Sequence, residues 1–449
     1  MIQRHLEGEL VRWKQVPDRL PLVIRGARQV GKSTLIEHFG KTAFERLITV
    51  NFEIDTIFKS CFESLDPIKI ISALEVITNT SIEPGKTLIF FDEIQECPQA
   101  IVALRYFKEK MHQLHIIAAG SLLEFCLNEE QFSFPVGRIQ FLFLKPLSFC
   151  EFLNGLGETK SLEVISQATL FTPLALAIHE HLASLFALYC RIGGMPAAVN
   201  AYLNSRSLLD VKRVHQTLLQ TYQHDFGKYA TKTQVQHLQR LYEKAPFIVS
   251  SHFKFAKIDP QTRSRDLKIA LRQLTWAGLL FPVHQTHASG LPLKFQSDET
   301  KFKLLFLDCG LMQTATGANI ELVQNAHKNA LNLTLGAVAE QVVGQELLAY
   351  QDPYEPPSCF FWKRDAKSST AEVDYLFAHN SNIFPIEVKA GTTGHFKSLL
   401  LFLQEKNQSL GITISLSALQ LTKPVLCVPF YLISRLAHLL DESQESTHA

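Results

Sequence analysis

Leu22-Val23-Ile24-Arg25-Gly26-Ala27-Arg28-Gln29-Val30-Gly31-Lys32-Ser33-Thr34 is the stretch that decides the fold. An apolar run ends at Gly26. Gly31, Lys32 and Ser33 follow, and Leu35 and Ile36 open an apolar-periodic segment. The order is strand, glycine-bounded loop, helix, with the spacing G-x-x-x-x-G-K-[ST]. A loop that wraps a phosphate turns its backbone N–H groups inward, and glycine lets the backbone approach closely. The positive end of the following helix adds to that field. In such a loop Lys32 reaches the β- and γ-phosphates and Ser33 holds Mg²⁺. Gly26, Ala27, Arg28, Gln29, Val30, Gly31, Lys32, Ser33 and Thr34 are thus the candidate nucleotide-binding residues, with ATP and Mg²⁺ as cofactors. A chance glycine-rich turn is the alternative, and the strand before and helix after weigh against it.

Thr87-Leu88-Ile89-Phe90-Phe91-Asp92-Glu93 strengthens the reading. An apolar run ending in two acids is the pattern of a buried parallel strand with carboxylates at its C-terminal end. Ligands bind at that end of an open α/β sheet. Asp92 is the candidate second holder of Mg²⁺, and Glu93 the residue that polarises the attacking water. His115 to Ser121 is a further apolar strand. It places Ser121 either as a γ-phosphate sensor or as a helix cap. Arg138 precedes the strand Ile139 to Leu144. It is either an arginine finger, in cis or toward a neighbouring subunit, or a surface arginine paired with an acid. Strands alternating with helices over 20–150 predict a parallel, doubly wound sheet.

Composition sets the outer limits. A chain of 449 residues, 46% hydrophobic and 19% charged, has material for several buried cores. Its 44 Lys+Arg against 43 Asp+Glu give a net charge of +1, so a nucleic-acid partner needs a local basic patch. The eight cysteines include no Cys-x-x-Cys pair and fit buried thiols of a reducing cytoplasm. No uncharged apolar run reaches the ~18 residues of a membrane span.

Gly26-Ala27-Arg28-Gln29-Val30-Gly31-Lys32-Ser33, Phe91-Asp92-Glu93-Ile94-Gln95, Gly120-Ser121, Gly137-Arg138 and Pro146-Leu147-Ser148-Phe149 occur in that order, followed by Glu151-Phe152. Together they resemble a large prokaryotic family of AAA-type ATPases with a C-terminal domain of unknown function. Tyr189 to Pro196, Leu304 to Leu311 and Glu372-Val373-Asp374 extend the resemblance over most of the chain. One departure is Ala119-Gly120-Ser121, where the family leads one to expect a threonine first. The resemblance implies a winged helix and a restriction-endonuclease-like fold behind the ATPase domain.

The downstream sequence agrees in outline. Leu174 to Tyr189 and Leu208 to Tyr222 read as helices of a lid or connector. Val235 to Ser251 and Ser264 to Leu280 read as two more, with strands expected at Phe281 to Gln285 and Leu293 to Gln296. Helices followed by a hairpin suggest a winged helix. Arg263, Arg265, Lys268 and Arg272 form a sparse basic face there, suited either to a DNA groove or to plain solvation beside a protein partner.

The second constellation is C-terminal. Glu340 lies on an amphipathic helix, Asp374 on one strand, and Glu387 and Lys389 on the next. Period-two alternation puts Glu387 and Lys389 on one face. Asp374 followed by Glu387-Val388-Lys389 resembles the PD-(D/E)XK nuclease motif, with Glu340 as its helical acid. Glu340, Asp374 and Glu387 are then metal ligands, and Asp374, Glu387 and Lys389 the cleaving residues. The alternative is a degenerate fold whose acids and lysine only pair with each other.

The expected architecture is α/β throughout: an AAA-type P-loop ATPase domain over 1–155, a helical connector over 156–232, a winged helix over 233–312 and a nuclease-like domain over 313–449. The expected activity is Mg²⁺-dependent ATP hydrolysis driving or switching the C-terminal module, with double-stranded DNA as its target. An ATP-gated regulatory protein that binds a protein partner through an inactive nuclease fold is the competing reading. The residues leave oligomeric state open.

Overall fold

The computed structural model describes residues 2–121, 123, 137–228, 230–317, 335–365, 370–391 and 396–445. Strands β1 (Leu22–Arg25), β2 (Arg46–Asn51), β3 (Thr87–Asp92), β4 (His115–Ala119) and β5 (Gln140–Phe143) form the first sheet, in the order β2-β3-β4-β1-β5. Every pairing in it is parallel. β3 and β4 are buried along their whole length, as apolar strands covered on both faces must be. One face carries Phe52, Phe62, Phe91 and Phe107, whose rings meet edge-on or tilted. The helix Lys32–Ala43 packs on the other through Leu35, Ile36 and Phe39. The register sets Asn51 beside Asp92, so the two strand ends meet at the C-terminal edge of the sheet.

Helices Leu176–Ile192, Pro196–Ser205 and Leu208–Asp225 follow. The helix Lys232–Ile248 packs on the helix Ser264–Trp276, which stops where Gly278 takes φ +71°. An antiparallel pair comes next, β6 (Leu280–Thr286) and β7 (Ser297–Phe306). The expected second strand at Leu293–Gln296 is instead a 3-10 turn. The strand begins after it, and its exposed, charged start (Asp298, Glu299, Lys301) hides it from an apolar-run reading. Phe253 also donates its N–H to Phe302 O on the outer side of β7, at 2.9 Å.

β6 has a second neighbour. It pairs in parallel with β8 (Cys359–Lys363), which pairs with β9 (Glu372–Val373), giving the order β7-β6-β8-β9. This sheet crosses the boundary expected at 312/313. A third sheet, β10 (Tyr375–His379), β11 (Asn382–Val388), β12 (Gly411–Ser415), β13 (Gln420–Thr422) and β14 (Val425–Pro429), runs β10-β11-β12-β14-β13. β10 and β11 are an antiparallel hairpin, and β11 passes through the helix Lys397–Lys406 to a parallel β12. The helix Leu335–Ala349 ties this part to the first sheet. Its buried Glu346 accepts from Phe149 N and from the Tyr189 hydroxyl, and Lys145 Nζ donates to Leu348 O at 2.7 Å. Among the described residues no single helix is long and apolar enough to cross a membrane.

Candidate functional site

β1 delivers the loop to the C-terminal edge of the first sheet. Gly26 has φ +150°, and a Cβ there would stand 2.1 Å from Leu144 O, so this turn admits only glycine. Gly31, at φ +97°, opens the helix Lys32–Ala43. Lys32 is buried and donates to Gly26 O at 3.0 Å and Ala27 O at 2.9 Å, folding its ammonium into its own loop. Burial pulls its pKa down to about 8, against the nearby charges of Glu93 and Asp92. Ala27 and Val30 pack inward, while Gln29 and Thr34 are exposed.

The acidic motif sits directly opposite. Ser33 Oγ donates to Asp92 Oδ1 at 3.0 Å, and Glu93 N donates to the same oxygen at 3.2 Å. Burial raises the Asp92 carboxyl above its usual range, which the Ser33 bond opposes. The Ser33 hydroxyl and the Asp92 carboxylate are hard oxygen donors already side by side, the donor set that suits Mg²⁺. Glu93 has φ +48°, an unusual conformation for a side chain of its size. Gln95 Nε2 donates to Glu93 Oε2 at 2.6 Å, and Ser121 Oγ approaches the same oxygen at 3.4 Å. The structure thus gathers the loop residues, Asp92, Glu93 and Ser121 into one place.

Sequence reasoning missed five members of this neighbourhood. Asn51 Nδ2 holds Asp92 Oδ2 at 3.1 Å, and its signal was a polar residue ending the strand next to β3. Gln95, two residues after Glu93, carries no role that its local sequence marks. Arg4 is buried and donates to Val30 O at 2.9 Å, to Lys145 O at 2.6 Å and to Glu151 Oε1 at 3.0 Å. Asp225 pairs with Arg28 at 2.6 Å, and Tyr222, one turn earlier, donates its hydroxyl to Arg28 O at 2.8 Å. Nothing local in the sequence marks Arg4, Tyr222 or Asp225, because their partners lie far along the chain.

Arg138 is a correction. β5 runs parallel to β1 with Gln140 beside Leu22, so Arg138 lies at the N-terminal edge of the sheet. The loop leaves the opposite edge. Arg138 is half exposed and pairs with Glu109 at 3.3 Å. The in-cis finger role is therefore excluded by strand direction.

At the C-terminal constellation, Glu340, Asp374, Glu387 and Lys389 do come together. Asp374 sits between β9 and β10 and accepts from Val388 N at 2.8 Å. Lys389 Nζ bonds Glu387 Oε1 at 2.5 Å. Two residues outside the expected set join them. Glu372 pairs with His252 at 2.6 Å, and Lys303 of β7 lies 2.5 Å from Glu372, 3.6 Å from Glu340 and 3.7 Å from Asp374. Burial pushes Glu340 up to about 8, Asp374 adding to the shift and Lys303 opposing it. Among the described residues no group of three or more His, Cys, Asp or Glu side chains is disposed to hold a metal ion.

A glycine-bounded loop between a buried parallel strand and a helix, with a serine and an acid converging beside it, defines a P-loop nucleotide-binding domain. The comparisons with known families agree. Residues 18–153 match the family described as an AAA domain, 183–321 match a domain of unknown function, DUF8612, and 335–431 match another, DUF4143. The chain therefore carries an AAA-type P-loop ATPase domain followed by two domains of unknown function. No curated protein matches it. Among solved structures, it is similar to a Walker-type ATPase of Pyrococcus abyssi at 14% identity and TM-score 0.45, over 70% of this chain and 96% of that one. It is also similar to the ORC2 protein of Aeropyrum pernix, at 14% identity and TM-score 0.36, over 69% and 90%.

Proposed function

We propose that this chain is a Mg²⁺-dependent ATPase whose nucleotide cycle switches a C-terminal winged-helix and nuclease-like module that acts on DNA. The observation that carries the ATPase reading is the convergence of Lys32, Ser33, Asp92 and Glu93 at one strand edge, with Ser33 and Asp92 3.0 Å apart. Lys32 exchanges its loop carbonyls for the β- and γ-phosphates. Ser33 and Asp92 would hold Mg²⁺, which neutralises phosphate charge when bound. Glu93, oriented by Gln95, accepts the proton of the attacking water.

A route to the rest of the chain supports the switching part. Tyr222 and Asp225 grip loop residue Arg28 from the connector helix. Gly278 lies close to the same loop, where an added Cβ would be 3.2 Å from Ala27 N. A loop that rearranges around phosphate moves both contacts. For the DNA part, the support is that Arg263, Arg265, Lys268 and Arg272 are all exposed on or beside the helix Ser264–Trp276. The competing reading, a regulatory protein with an inactive nuclease fold, is favoured by Lys303 among the acids. The test is Mg²⁺-ATP turnover with and without double-stranded DNA, for the native chain and Glu93→Gln. DNA-stimulated turnover lost in Glu93→Gln supports the proposal. Turnover indifferent to DNA moves the target to a protein, and absence of turnover with intact ATP binding overturns the ATPase reading.

A further inference from the structure

We propose that Lys303 is the resident cation of the C-terminal acidic cluster, its ammonium standing where a nuclease-like site would place a divalent ion. This inference does not depend on ATP hydrolysis. It rests on where Lys303 comes from and on what surrounds it.

Lys303 belongs to β7, in the buried run Phe302-Lys303-Leu304-Leu305-Phe306. Its side chain is only 5% exposed. A charge is not carried into such a strand without partners, because desolvation then goes uncompensated. The partners are supplied from two further segments. Glu372 ends against it at 2.5 Å, Glu340 reaches it from the helix Leu335–Ala349 at 3.6 Å, and Asp374 at 3.7 Å. The Phe361 ring covers its other side, with the ammonium 5.2 Å from the ring centroid. Glu387, the remaining acid, is paired separately by Lys389. Glu372 is also held by His252 and, at 3.8 Å, by Lys363. Each carboxylate of the cluster therefore has a cationic side chain within 4 Å.

A divalent ion bridging Glu340 and Asp374 requires oxygen ligands at roughly 2.0–2.6 Å. The ammonium already lies 3.6 Å from Glu340 and 3.7 Å from Asp374, and a dication a few ångströms away would be strongly repelled. Lys303 thus takes over the electrostatic duty of the metal. It also fastens β7, which pairs with β6, to the helix Leu335–Ala349 and to the segment carrying Glu372 and Asp374. The cluster is a latch between these units.

The experiment is Mn²⁺ titration of the full, nucleotide-free chain, read by electron paramagnetic resonance and by Tm. For the native chain we expect no Mn²⁺ site that is sensitive to Asp374→Asn. In Lys303→Met we expect one additional bound Mn²⁺, removed by adding Asp374→Asn, and a lowered Tm that Mn²⁺ restores in part. A native chain that binds Mn²⁺ and loses that ion on Asp374→Asn overturns the proposal, whether or not Lys303→Met folds. A folded Lys303→Met that gains no Mn²⁺ site overturns it as well.

Discussion

Gln95 Nε2 lies 2.6 Å from Glu93 Oε2, so the acid proposed to activate water is held by a neighbour two residues along. The bond fixes a carboxylate whose backbone already sits at φ +48°. Gln95→Ala releases the side chain, and misorientation of a catalytic group acts on turnover more than on binding. The expected result is a fall in kcat of about tenfold with KM for ATP little changed. Steady-state kinetics decide it. A rise in kcat would mean that Gln95 restrains Glu93 and does not aim it.

Lys32 gives ATP binding a pH dependence. Its pKa is pulled down to about 8, mainly by burial. Phosphate favours the charged ammonium, so binding above pH 8 must take up a proton. Lys32 therefore adds no pH dependence well below pH 8, and above it affinity weakens, with Kd increasing up to about tenfold per pH unit. Calorimetry in buffers of different ionisation enthalpy measures the uptake directly. Binding without uptake at pH 9 would contradict the placement of Lys32 at the phosphates.

Glu346 makes the interface between the helix Leu335–Ala349 and the first domain sensitive to pH. Burial raises its pKa from 4.5 to about 8, and bonds from Tyr189 and Phe149 N only partly offset this. The sign follows from linkage. Between pH 4.5 and 8 the folded state holds a proton that the unfolded state has lost, so stability is full below about pH 4.5 and drains as pH rises to about 8. The slope from this group is at most about 1.4 kcal/mol per pH unit. Glu346→Gln should be close to the native chain in stability at pH 5 and more stable at pH 8.5, as read by urea denaturation. A native chain with stability constant from pH 5 to 8 would rule this out.

Arg138 is expected to be dispensable for the chain's own nucleotide site. It lies at the far edge of the sheet and pairs with a surface acid. Arg138→Ala should keep kcat and KM within about twofold, since exposed pairs contribute little. A loss of turnover that appears only as protein concentration rises would assign Arg138 to a neighbouring subunit.

The sequence by itself determined the P-loop, the acidic strand end and the parallel sheet between them. These are local patterns: apolar runs of fixed period, glycines where the backbone must turn, and polar residues at strand ends. Hairpin alternation also put Glu387 and Lys389 on one face, while Asp374 and Glu340 were joined to them through the resemblance to a nuclease motif. Tertiary structure alone decided the rest. The hairpin strand 297–306 begins among charges, so its apolar half could not be traced back to the turn. Arg138 lost its in-cis role through the direction in which β5 lies beside β1. Arg4, Tyr222 and Asp225 reach the loop, and Lys303 reaches the acids, across separations that no periodicity records. Packing sets those contacts, and a buried charge shows its purpose only when the carboxylates around it are in place.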